Sequence, residues 1–183
     1  MKSPPCVFNG FLALAVIAVL TNCATSEESK RKKEMSTLRI HVESDPGNAD
    51  RTSAISVIRA SPILLNIDRE AVLDESDVAA ATLVGQADGL YSVEIQLTRR
   101  GGWILERTSV ANRGKHLALF SAFGDQARWL AAPLITAKNS SGRLVFTPDA
   151  TYEESKRFVN GLNNMAKKLE RGENWPFRGP LDQ

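Results

Sequence analysis

The run YSVEIQL at 91–97, which passes straight into TRRGGWILERTSVAN, constrains the fold of this chain more than any other stretch. Tyr91, Val93, Ile95 and Leu97 alternate with polar residues, the period-two pattern of a strand with one apolar face. Thr98 is an N-cap residue for a helix reaching about Asn112, and Gly114 stands where a left-handed C-cap is wanted. Gly101 and Gly102 weaken the first turn by up to about 1 kcal/mol each relative to Ala.

The segments that follow keep the same clarity. Residues 115–122, KHLALFSA, read as a strand, GDQ as a turn, and 128–135 as a strand whose Pro133 marks an edge or bulge. After the NSSG turn, 143–146 is a last strand. Thr151 and Glu154 form a capping box for a final helix, on which Phe158, Leu162, Met165, Ala166 and Leu169 line one apolar face.

Upstream, TLRIHVE at 37–43 alternates Leu38, Ile40 and Val42 against Arg39, His41 and Glu43, a half-buried strand. Residues 53–60 and 63–67 are two further short strands, and 75–81 is a short helix capped by Asp74 or Ser76. The expected class is α+β: a small, mostly antiparallel sheet with two main helices packed on one face. Charge adds little. Lys and Arg number 23 against 21 Asp and Glu, so nothing in the composition calls for a nucleic-acid partner.

The N-terminus carries a different signal. Residues 7–20, VFNGFLALAVIAVL, form an apolar run too short to span a bilayer and suited to the core of an export signal. Leu20-Thr21-Asn22-Cys23 resembles the lipobox of bacterial lipoproteins, with Asn22 where Gly, Ala or Ser is usual. That resemblance implies a signal peptide over 1–22 and a lipidated Cys23. Residues 23–36 then make a flexible charged linker, 37–170 the α+β domain and 171–183 a tail. An ordinary cleaved signal or an uncleaved anchor is the alternative. The implied location is the bacterial envelope, facing the periplasm. Ala24, in place of the Asp that retains such proteins at the inner membrane, favours the outer one.

The C-terminal half carries a second resemblance. VEIQLTRRGGWILERTSVANRGKHLALF is similar to the stretch of SecD and SecDF export subunits in which a strand ends in Leu-Thr, a helix follows, and Gly-Lys leads into the next strand. AAPLITAKNSSGRLVFT resembles what comes after it there, and DESDVAAATLV what comes before; together they cover about 63–168. The resemblance implies a SecD periplasmic-head-like fold outside the cytoplasmic membrane, where such heads engage emerging preprotein. It does not extend to the proton-coupled transmembrane part.

Catalytic signals are absent from the pattern. No nucleophile elbow, P-loop or dinucleotide glycine motif occurs. His41 and His116 are 75 residues apart without a neighbouring cysteine, so they read as strand histidines rather than metal ligands. Trp103 reads as core. The expectation is a non-enzymatic domain, with no cofactor and no metal, that binds the bilayer through Cys23 and holds a polypeptide or envelope protein. Phe123, Arg128 and Trp129 beside the 124–126 turn, and Trp175 in the tail, are the candidate contacts. The edge near Pro133 is the candidate docking strand. A periplasmic enzyme or small-ligand binder on the same scaffold is the alternative.

Overall fold

The computed structural model describes residues 33–47, 50–58, 60–85 and 90–172. The signal segment, Cys23 and Trp175 lie outside them. The order is β1 (Arg39–Val42), β2 (Thr52–Val57), β3 (Ile63–Asp68), β4 (Leu73–Asp74), a 3-10 turn (Glu75–Asp77), β5 (Val78–Gly85) and β6 (Tyr91–Leu97). Helix α1 (Arg99–Ala111), β7 (Leu117–Phe123), β8 (Gln126–Ala131), β9 (Arg143–Phe146) and helix α2 (Tyr152–Glu170) follow. The α+β class is as expected, but the strands form three antiparallel sheets rather than one: β4-β1-β7-β8, β5-β6-β9 and the hairpin β2-β3.

Both helices send their apolar faces into one core. Leu105 of α1 and Phe158 and Leu162 of α2 pack with Ile40, Val93, Ile95, Leu119 and Leu130 from the two larger sheets and with Leu38 just before β1. Fully burying each such side chain contributes roughly 1.5–3 kcal/mol. A second, smaller core lies on the opposite face of the four-stranded sheet. There Val57, Leu65 and Ile67 of the hairpin close over Ala118 and Trp129. Strand β1 is therefore covered on both faces, which corrects its half-buried reading: His41 is only 2% exposed.

The 75–81 helix is also corrected. Asp74 caps a single 3-10 turn, accepting from Ser76 N–H at 2.8 Å, and the chain then extends into β5. Tertiary contact explains the brevity. Asp77 is buried against the start of α1, and a Cβ on Gly101 would come within 2.9 Å of the Asp77 Cβ and carbonyl oxygen. Gly101 permits this approach, and Arg100 Nε closes it by donating to Asp77 Oδ1 at 2.9 Å. The predicted caps hold elsewhere: Thr98 accepts from Gly101 N–H, and Thr151 and Glu154 form the reciprocal box on α2. Ordered contacts reach back past Thr37, with Glu34 paired to Arg157 Nη2 at 2.8 Å and Ser36 buried against α2.

Candidate functional site

A sheet is vulnerable, and useful, where its edges are open. The outer edge of β5 is closed by α2, whose Asn163 amide bonds both backbone groups of Ala81. The middle of β8 is closed by Asp149, whose N–H donates to Leu130 C=O at 2.7 Å. Two edge positions differ. Beyond β8, Leu134 bridges to His116 through Leu117 N–H to Pro133 C=O and Ile135 N–H to Lys115 C=O, each 2.9 Å. Those bonds flank the pair, so the N–H and C=O of Leu134 itself point away from β7.

Strand β9 repeats the geometry. Leu97 N–H donates to Gly142 C=O at 2.9 Å, which makes Gln96–Arg143 a non-hydrogen-bonded pair. Val145, opposite Glu94, is the next such pair, so its N–H and C=O point away from β6. Arg143, in the same phase, already uses these directions: its N–H donates to Ser141 Oγ and its carbonyl accepts from Asn139 Nδ2 at 2.7 Å. For the backbone groups of Leu134 and Val145 no partner is found among the described residues.

Leu134 and Val145 line one groove of about 280 Å³. Its walls also include Leu105, Leu117, Ile135 and Leu144, and Ser109 and Asn139 supply polar groups. Leu134 is 50% and Val145 53% exposed, so both are reachable, and Thr136 and Arg143 add polar groups to a mixed lining. Ser109 stabilises one end, its Oγ accepting from Asn139 N–H at 2.9 Å and donating to Glu106 C=O at 2.8 Å. The groove thus has two outward-facing strand edges, a lining of mixed polar and apolar side chains and a braced loop. That arrangement suits an extended chain better than a reaction.

The residues singled out in the sequence lie elsewhere. Phe123 is 2% exposed and stacks edge-on to Phe158, with ring centroids 6.1 Å apart. It is a core residue, unavailable to a partner. Trp129 fills the second core, edge-on to His41 at 5.5 Å and Phe120 at 5.2 Å. Arg128 is an internal tie: its guanidinium donates to Glu154 Oε2 at 3.0 Å, to Gln126 Oε1 at 3.0 Å and to the Asp149 carbonyl. The bond from Thr151 N–H, outweighing the desolvation that opposes it and aided by Gln126 and Arg128, holds the Glu154 carboxyl down at about 2. Trp175 and Cys23 lie outside the described residues.

Trp103 is a correction. It is 62% exposed on the outer side of α1, because Gly101, Leu105 and Thr108 take the buried phase. His41 donates through Nδ1–H to Asp68 C=O at 2.9 Å, and burial lowers its pKa below the ordinary value. His116 meets Glu43 Oε2 at 2.7 Å. Among the described residues no group of three or more His, Cys, Asp or Glu could hold a metal, and no helix is long and apolar enough to cross a membrane. Sequence pattern singles out neither Leu134 nor Val145, although Pro133 marks the edge beside Leu134.

No protein-family model and no curated protein matches the chain. Solved structures do. One, described as a membrane component SecDF that enhances protein export, is 16% identical with a TM-score of 0.55, over 76% of this chain and 67% of that one. A second, SecDF in a super-membrane-facing form, is 16% identical with a TM-score of 0.54, over 76% of this chain but only 20% of that one. At such identity the likeness concerns architecture: the described domain has a SecD-like α+β fold.

Proposed function

We propose that this domain is a non-enzymatic holder of extended polypeptide, tethered to the bacterial envelope by a lipid on Cys23 and facing the periplasm. One observation carries the binding reading: Leu134 and Val145 present outward N–H and C=O groups on two strand edges that border one groove, lined by both apolar and polar side chains. A segment laid there in extended form gains main-chain hydrogen bonds from an edge and alternate-side-chain contacts with Leu134, Leu144 and Val145. The shared fold with a component that enhances protein export supports placing the domain in that setting. The lipobox-like LTNC supports the tether.

Binding of a permanently unfolded chain tests this directly, with labelled, reduced and carboxymethylated α-lactalbumin as the probe in anisotropy titrations. The Leu134→Asp/Val145→Asp pair places charge on both walls at exposed positions and is expected to abolish most binding while leaving the thermal transition in place. Undiminished binding by that folded variant would overturn the slot. The tether is tested separately by metabolic labelling with an alkyne palmitate. Label on the wild type and none on Cys23→Ser is the expected result.

A further inference from the structure

We infer that the outer face of α1, carrying Arg99, Trp103 and Arg107, is a membrane-contact surface that seats on anionic phospholipid headgroups. The inference is independent of the peptide slot. The three residues recur every fourth position and form one stripe along the helix, opposite the buried Gly101, Leu105 and Thr108. Trp103 leaves 62% of its surface in water, and the Arg99 guanidinium lies 4.8 Å from its ring centroid. A Trp ring gains most at the headgroup layer, where its apolar body and polar N–H are both matched.

The charges on this face are available. Arg100 is committed to Asp77, and Glu106, the one acid on α1, is committed to Lys138 Nζ at 2.6 Å. Arg99 and Arg107 take part in no ion pair among the described residues. Each can offer a planar fork to a phosphate, on either side of the indole. The shape also selects the partner. A stable protein interface covers about 800 Å² on each side, whereas a single convex stripe with one aromatic offers far less and is matched by a planar, deformable, anionic surface.

Tryptophan quenching by brominated lipid in reconstituted vesicles tests the assignment on the full chain. Wild type is compared with Trp103→Phe, in phosphatidylcholine alone and with phosphatidylglycerol added. Trp129 and Trp175 contribute equally to both proteins, so the difference isolates Trp103. The expected result is a quenched component that needs phosphatidylglycerol, is absent from Trp103→Phe and fades at high salt. An Arg99→Glu/Arg107→Glu variant, altered only at exposed positions, is expected to lose most of it. Equal quenching in wild type and Trp103→Phe with phosphatidylglycerol present would overturn the proposal. So would a Trp103 that responds to polyglutamate but not to vesicles, which would assign the stripe to an acidic polypeptide.

Discussion

The side-chain amide of Asn163 on α2 pairs with the backbone of Ala81 on β5 as a strand would: its Oδ1 accepts from Ala81 N–H and its Nδ2 donates to Ala81 C=O, both at 2.8 Å. The two residues are 82 apart in sequence. This contact closes the β5 edge, in contrast to the Leu134 and Val145 edges, whose backbone groups have no partner among the described residues.

Replacing Asn163 by Asp keeps the acceptor and removes the donor, setting a carboxylate against the Ala81 carbonyl. Urea denaturation is expected to show a loss of about 1–3 kcal/mol, the usual cost of a buried polar group left unpaired. With the β5 edge loosened, sedimentation is also expected to show concentration-dependent association.

Glu154 joins the start of α2 to β8 through Thr151, Gln126 and Arg128. Its carboxyl, at about 2 when folded, ionises more readily than in the unfolded chain. The stability it contributes is therefore complete above the unfolded value of about 4.3 and lost as pH falls toward 2. Allowing for solvent screening, Glu154→Gln is expected to cost about 1–2 kcal/mol at neutral pH. Wild type and variant should converge below pH ~2, a crossover that calorimetry across the acid range would read.

His41 has the same sign by another cause. Burial between the hairpin and the four-stranded sheet lowers its pKa from 6.5, against the bond to Asp68 C=O; Arg39 lowers it further and the Asp68 charge raises it. The unfolded chain takes up the proton first, so stability is full above 6.5 and declines as pH falls through the folded value. His41→Phe is expected to have a flatter melting temperature between pH 7.5 and 5, at about 1 kcal/mol lower stability above that window for the lost bond. An unchanged slope would rule out His41 as its source.

Gly161 lies mid-helix, where Ala is intrinsically better by about 1 kcal/mol. A Cβ there would nevertheless come within 2.1 Å of Ser36 Oγ and 2.7 Å of Ser36 N. Gly161→Ala is expected to dislodge the 34–36 segment despite the gain in propensity. Faster trypsin cleavage at Lys33, with a lower melting temperature, would report it.

Local pattern was a good guide wherever one element determines its own form. The YSVEIQL alternation, the Thr98 cap, the Thr151–Glu154 box and the apolar face of α2 all rest on residues within a few positions of one another, and all stand in the structure. Even the edge near Pro133 was readable, since proline has no N–H to give to a ladder. The aromatic residues at the 124–126 turn were misleading as contacts because composition cannot tell a loop-facing ring from a core-facing one. Phe123 and Trp129 flank the same turn, yet each enters a different core.

By itself, then, the sequence determined the α+β class, the starts of the two long helices and their capping chemistry, all set by spacing along the chain. Only tertiary structure decided the rest. It shortened the expected 75–81 helix to one turn over 75–77 against Gly101, placed Trp103 in water, covered His41 with the hairpin, closed β5 with Asn163 and brought Leu134 and Val145 to one open groove. Each of these depends on which distant element arrives at a surface, and the free energy of that arrival comes from burial shared across the chain rather than from any local pattern.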